Sequence, residues 1–328
     1  SLRPLVAESA TLPAQWQHDE LLSAQDILGK KFVNTRLCGN VTLPAENATI
    51  ALEVMSRFAV DPRWLIYLPP TMSPCETTVE GDYLEYPTGA LSYYQKAGID
   101  RVVCERKHMG SRAVLVVCRD EEAARRRFGA PEGQIGQCYT RTGRQFFDSQ
   151  PLHHAILQEV QTALTRAGFW EEYETDWVCL DAELMPWSAK AQGLLREQYA
   201  PVGVAGQSAL RSATEATEQA VKRNPALQPL LERLQHRLAD VAQYVEAYSA
   251  YCWEVPNLAD YRLAPFHLLA TEGRTYFDRS HLWHIEALSR IATQSEILLA
   301  TDYWEVDLTS QASQEEATNW WEQMTAEG

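Results

Sequence analysis

The sequence has no Cys-x-x-Cys pair and no Cys/His spacing suited to a metal, and its seven cysteines are an odd number. Cys38, Cys75, Cys104, Cys118, Cys138, Cys179 and Cys252 are widely scattered. That scatter argues against a zinc module or a disulfide framework, and reads as reduced, mostly buried thiols in a cytosolic protein. No stretch approaches the roughly 20 apolar residues of a membrane span, and the N-terminus lacks a basic region followed by an apolar run. Positive charge is scarce: 29 Lys and Arg face 44 Asp and Glu, for a net charge of -15. Bulk electrostatics therefore do not attract nucleic acid, and phosphate binding has to rest on a local basic groove. There is no internal repeat or low-complexity tract.

What is present suits a large folded core. Of 328 residues, 45% are hydrophobic and 22% charged, enough for one large domain with insertions or two smaller ones. The opening "SLRPLVAES" has no Met and reads as a fragment boundary. A helical stripe in "AENATIALEVMSRFA" follows Pro44 and stops before Asp61-Pro62. "WLIYLPPTMSPCETT" then predicts a short apolar strand running into closely spaced prolines, a module boundary near residue 80. Next come a helix in "GALSYYQKAG" stopped by Gly98, and strands in "RVVCERK" and "SRAVLVVCR" with Gly110 at the turn between them. "GQCYTRTG", "RQFF" and "DWVCLDAELMP" read as further strands, with an amphipathic helix in "HHAILQEVQTALTRAG" between them. From about 188 to 255 the chain is rich in Ala, Leu, Gln, Glu and Arg with helical periodicity, which predicts a helical insert. Strands return at "LAPFHLLAT" and "RTYFD". Helices follow in "SHLWHIEALSRIA" and "QEEATNWWEQMTAEG", with Ser280 and Ser313 as N-caps. Hairpins with interspersed helices predict an α+β fold.

The chemistry concentrates in "CERKHMGSRAVLVVCRD". It contains Lys107-His-Met-Gly110-Ser-Arg112, a KxxGxR pattern set before a very apolar strand. A lysine beside Arg106, Arg112 and His108 would sit in positive potential, which lowers an amine's pKa and frees its lone pair for attack. Phosphorus is the matching electrophile, since the arginines can neutralise phosphate oxygens as charge shifts to the leaving group. Alone, this short pattern is weak and is better read as a surface lysine before a strand. His281 and His284 lack a third ligand and read as packing or surface residues. Arg125 to Arg127 read as a solvated loop or helix end.

This stretch resembles the lysine nucleotidyltransferase motif of ATP-dependent ligases and capping enzymes, and other segments resemble that superfamily's later motifs in order. The resemblance is closer still to the ligase region of the bacterial polynucleotide kinase-phosphatase-ligase family. It is carried by "RFAVDPRWLIYLPPTMSPCET", "YLEYP", "KHMGSRAVLVVCRD", "YTRTGR", "DWVCLDAELMPWSAKAQ", "YCW", "LAPFHLLA" and "HLWH", from about residue 25 to the end. It implies a nucleotidyltransferase fold of ATP-grasping antiparallel sheets with flanking helices. The expected divisions are an N-terminal module 1–80, a first core part 81–187, a helical insert 188–257 and a second core part 258–328.

The resemblance further implies that Lys107 attacks the α-phosphate of ATP to form lysyl-AMP, that AMP passes to an RNA 5′-phosphate, and that a 3′-hydroxyl displaces it. Glu105, assisted by the backbone of Arg106, would select adenine, and Arg112, Arg141 and Arg144 would contact ribose or phosphate. Glu183 would hold the ribose and serve a divalent metal, magnesium or manganese. Phe266 would stack on the base, although a strand Phe is equally well explained by core burial. Implied partners are RNA with 5′-phosphate and 3′-hydroxyl ends, the kinase and phosphatase domains of a parent protein, and an RNA 3′-terminal 2′-O-methyltransferase. The P-loop GxxxxGK[ST] and an acidic phosphatase pair are absent, so kinase and phosphatase activities do not reside here. The chain is expected to stop before the family's fourth and fifth motifs, which would impair adenylylation. Two other readings predict different behaviour: a non-catalytic scaffold docking the methyltransferase, or a nucleotide sensor without covalent chemistry.

Overall fold

The computed structural model describes residues 29–35, 39–70, 74–81, 83–187, 197, 199–249 and 252–326. In chain order, β1 (Lys31–Thr35) and β2 (Gly39–Leu43) form an antiparallel hairpin, and α1 (Ala45–Phe58) follows Pro44. Strands β3 (Thr78–Glu80) and β4 (Tyr83–Tyr86) lead into α2 (Pro87–Lys96), then β5 (Arg101–Glu105) and β6 (Ser111–Cys118). Helix α3 (Glu121–Phe128), β7 (Gly136–Thr140), α4 (Gln150–Arg166), the short α5 (Phe169–Glu172) and β8 (Trp177–Met185) follow. Two long helices, α6 (Ala200–Val221) and α7 (Gln228–Ser249), occupy the segment where helical periodicity is strongest. The chain continues through β9 (Arg262–Thr271), β10 (Arg274–Thr275), α8 (His281–Ala292), β11 (Tyr303–Asp307) and α9 (Gln311–Ala326). This is an α+β fold with antiparallel sheets. No described helix is long and apolar enough to cross a membrane.

The chain divides into two compact units. The first draws on residues 1–72, 112–182 and 267–279, and the second on 73–111, 183–266 and 280–328.

The first unit is organised by a sheet of order β10-β9-β8-β6-β7. Its interior strand β6, between β8 and β7, is buried from Ala113 to Cys118, because "AVLVVC" supplies apolar residues to both faces. Alternate residues Val114, Val116 and Cys118 join Trp64, Tyr139, Cys179 and Leu269 in one core cluster. Helix α4 packs against β7, with Ile156, Leu157, Val160 and Leu164 buried. Its Ser149 cap accepts from the Leu152 N–H. His153 on this helix is buried, and its Nε2 accepts from the Cys138 N–H at 3.0 Å. Burial, then the neighbouring His154, lowers the His153 pKa to about 4, which keeps the accepting nitrogen unprotonated.

In the second unit, β5 pairs with β11 in an antiparallel ladder, register Glu105↔Tyr303 to Arg101↔Asp307. One face of the ladder carries Val102, Cys104 and Val306, which cluster with Leu91 of α2 and Ala317 of α9. The other face therefore carries Arg101, Val103 and Glu105 with their partners Tyr303, Glu305 and Asp307. Helices α6 and α7 pack on each other through a short connection holding the turn Pro225–Leu227.

Several local expectations change. "WLIY" is not a strand: Pro62–Trp64 is a 3-10 turn capped by the Asp61 carboxylate, and Trp64 is buried against the first unit's sheet. Gly110 does not close a hairpin, because β5 pairs with β11 whereas β6 lies between β8 and β7. Ser313 lies within α9, and the hydroxyl that accepts from the Ser313 N–H belongs to Ser310. "RTYFD" contributes only Arg274–Thr275 to the sheet, and "RQFF" only two isolated bridges, Ala59↔Arg144 and Tyr139↔Gln145. Strand β11 carries no signal strong enough to be read before its partner is known. The first 28 residues, Cys38 and 188–196 lie outside the described residues.

Candidate functional site

Strand β5 ends at Glu105, so Arg106 and Lys107 leave the ladder together. The Arg106 N–H still donates to the Asp302 carbonyl at 2.9 Å, and its guanidinium lies 3.6 Å from the Asp302 carboxylate. Lys107 is exposed, and its amine makes no hydrogen bond or ion pair among the described residues. His108 turns inward to Thr301, Nε2 to Oγ1 3.1 Å. Burial, reinforced by the charge of Arg106, holds the His108 pKa below 6.5. His108 is thus neutral at neutral pH and does not add to the positive field expected of it. The physical reason is desolvation, which the sequence does not display.

Gly110 and Glu183 fix the far side of this loop. The Gly110 N–H donates to Glu183 Oε1 at 3.1 Å. A Cβ at position 110 would sit 2.3 Å from the Leu184 carbonyl oxygen, so only glycine fits this close approach. Glu183 is half-buried and sits near the end of β8, one position from the Leu184 carbonyl that excludes a side chain.

Glu105 is held from the other side. His281, the first residue of α8, contacts Glu105 Oε1 through its Nε2. The same helix begins at Ser280, whose hydroxyl accepts from the Trp283 N–H. His281 therefore belongs beside Glu105, whereas His284 is buried, as a packing histidine would be. The signal that would have found His281 is its position at a capped helix start, but nothing local names its partner 176 residues away.

In the first unit, Arg112 forms a bidentate pair with Asp181, Nε to Oδ1 2.9 Å and Nη2 to Oδ2 2.6 Å. Asp181 is fully buried. Burial, then the Asp181 charge, raises the Tyr67 pKa. Asp181 was missed because an "Asp-x-Glu" strand end advertises only its outer carboxylate. Arg141 and Arg144 are exposed on one tight turn, closed by Gly143 N to Thr140 O at 2.9 Å and Thr140 N to Arg144 O at 2.8 Å. Gly143 takes φ 78°, which this turn requires. Phe266 is half-buried in β9, in the second unit.

Among the described residues no group of three or more His, Cys, Asp or Glu is placed to hold a metal ion. Six cysteines, Cys75, Cys104, Cys118, Cys138, Cys179 and Cys252, are free thiols. Burial first, then the charges of Asp120 and Asp176, pushes the Cys118 thiol up to about 12, so it is inert as a nucleophile.

Residues 50–328 match the family described as the PNKP adenylyltransferase domain, ligase domain, and the chain belongs to that family. Comparison with curated proteins returns no match. Among solved structures, a chain in the structure of the Pnkp1/Rnl/Hen1 complex is similar at TM-score 0.55 and 16% identity, over 79% of this chain and 69% of that one. A chain in the structure of the Pnkp1/Rnl/Hen1 RNA repair complex is similar at TM-score 0.50 and 16% identity, over 78% of this chain and 66% of that one. At this identity the likeness is one of fold.

Proposed function

We propose that this chain is the adenylyl-transferring part of an ATP-dependent RNA ligase, built on a nucleotidyltransferase fold, with Lys107 as the nucleophile. The observation that carries the reading is the Lys107 amine, exposed and unpaired among the described residues, on a loop pinned at Glu105 by His281 and at Gly110 by Glu183. A nucleophile needs an accessible atom and a fixed approach, which an exposed amine on a pinned loop supports.

In the first step, the Lys107 Nζ lone pair attacks the α-phosphorus of ATP. A P–N bond forms, the α–β bridging P–O bond breaks, pyrophosphate departs and the amine sheds a proton. In the second, an oxygen of an RNA 5′-phosphate attacks the same phosphorus, and the P–N bond breaks to return the lysine. An RNA 3′-hydroxyl then displaces AMP and closes the strand.

Glu105 reads the base as a hydrogen-bond acceptor for an exocyclic amine, oriented by His281 and assisted by the Arg106 backbone. Arg112, Arg141 and Arg144 are the phosphate and ribose donors, Arg112 acting from its Asp181 clamp. Phe266 supplies a ring for stacking. Glu183 is the one carboxylate of this group with a metal role, which suits magnesium or manganese retaining phosphate and water oxygens as its other ligands. Such an ion would supply charge neutralisation at the phosphates.

Similarity to chains solved with Rnl and Hen1 supports partner proteins for this one: an RNA 3′-terminal 2′-O-methyltransferase, and kinase and phosphatase domains of a parent chain. The free thiols support a cytoplasmic setting. The test is intact mass before and after ATP with a divalent metal. A gain of one AMP that disappears in Lys107→Ala is the expected result; retention of the gain in that variant overturns the reading.

A further inference from the structure

A second feature lies on the ladder face that carries Glu105. Tyr303 is the cross-strand partner of Glu105, so the two side chains leave the same face. Tyr303 also lines a cleft of about 560 Å³ with Trp283, Glu286, Ala287, Ser289 and Arg290 of α8. Residues 283, 286, 287 and 290 are spaced as one helix face, while Ile285, Leu288 and Ile291 of the same helix are buried. Small, buried Ala287 leaves room between the larger side chains.

The lining has a definite chemistry. Trp283 and Tyr303 are half-buried and offer ring surface, Arg290 is an exposed guanidinium, and Glu286 is an exposed carboxylate. A ligand matching this set has a flat aromatic ring, an amine for the carboxylate and a phosphate for the guanidinium. A nucleotide unit has all three, and ring stacking binds any base, as repair of varied ends requires. In a chain of net charge -15, this cation beside two rings is the kind of local feature that nucleic-acid binding needs. The ladder register puts the cleft's Tyr303 opposite Glu105, two residues before Lys107, and Asp302 beside it holds Arg106.

We propose that this cleft receives the terminal nucleotide of the RNA strand whose 5′-phosphate takes up AMP. The proposal rests on the ligase reading above. In it, Trp283 and Tyr303 stack the base, Arg290 takes a backbone phosphate, and Glu286 accepts from a base amine. None of the four takes part in loading Lys107, so the cleft acts on the second substrate alone.

The experiment uses the whole chain and a 5′-phosphorylated single-stranded RNA oligonucleotide with a 3′ fluorophore, read by fluorescence anisotropy. Intact mass after ATP and magnesium is measured alongside. Trp283→Ala, Arg290→Gln and Ser289→Trp are each expected to weaken RNA binding about tenfold, as loss of one stacked base or phosphate contact does. The one-AMP mass gain is expected to stay as in the wild type. Ser289→Trp fills the cleft without deleting a packed ring, so it keeps the test decisive if Trp283→Ala does not fold. Wild-type affinity in all folded variants overturns the proposal, as does failure of the wild type to bind RNA. Loss of the mass gain with RNA binding intact also overturns it, because the cleft then serves ATP. A wild type that binds RNA through the cleft yet never gains AMP sinks the ligase reading and leaves the RNA site standing.

Discussion

The Cβ of any residue replacing Gly110 would lie 2.3 Å from the Leu184 carbonyl oxygen, closer than carbon and oxygen can approach without moving backbone. The same glycine donates its N–H to Glu183. Gly110→Ala therefore separates the lysine loop from β8. The expected outcome is a loss of about 1–3 kcal/mol in chemical unfolding, as for other overpacked sites, together with loss of the one-AMP mass gain.

The pair Arg112 and Asp181 predicts a different pattern. Arg112→Ala leaves a fully buried carboxylate without its cation, and a cost of about 3–5 kcal/mol is expected. The double change Arg112→Met with Asp181→Leu removes both charges and is expected to recover most of that stability. If Arg112 also serves the nucleotide, lysine adenylylation stays low in the stable double variant. Urea unfolding and intact mass on the same samples separate the two roles.

His281 predicts a change in selectivity. Without the imidazole, the Glu105 carboxylate, proposed above to read the base, loses the contact that holds it. His281→Ala is expected to reduce discrimination between ATP and GTP in Lys107 labelling by about tenfold, the worth of one charge-assisted hydrogen bond. His281→Gln keeps a side-chain donor and is expected to retain most of it. Equal discrimination in the wild type and both variants would show that His281 only packs.

His153 predicts an acid limb of stability. Its imidazole titrates near 6.5 when unfolded and near about 4 when folded, so the unfolded chain holds more protons between those values. Stability is therefore complete above the unfolded pKa and falls as pH drops from 6.5 toward 4. This one group contributes up to about 3 kcal/mol to the fall. His153→Gln, which keeps an acceptor for the Cys138 N–H, is expected to flatten that share in urea unfolding measured at about pH 7.5 and about pH 5.

Legibility follows the range of the interactions. A helix start such as Ser280, and stops such as Gly98 and Gly168, were readable because a cap or a left-handed residue acts within a turn of its own position. Strand β6 was readable because burial on both faces demands an unbroken apolar run. The reading slipped where a choice was nearly even over a short span: Ser313 stands three residues from Ser310, and "WLIY" has strand composition but no ladder to join. Strand β11 was invisible because "YWEVD" earns its pairing only from β5, two hundred residues earlier in the chain in round terms.

The candidate site divides in the same way. By itself the sequence determined the setting of Lys107: a lysine between a strand end and a glycine, an arginine two residues beyond that glycine, and Glu183 near the end of β8. These are short-range patterns, and the covalent chain enforces them. Only the tertiary structure decided that Arg112 meets Asp181 across 69 residues, that His281 meets Glu105 across 176, that His108 is neutral, and that Trp283 and Tyr303 border one cleft. The reason is physical: partner choice, desolvation and cavity shape are set by which surfaces the folded chain brings within a few ångströms, and no local run of residues records that.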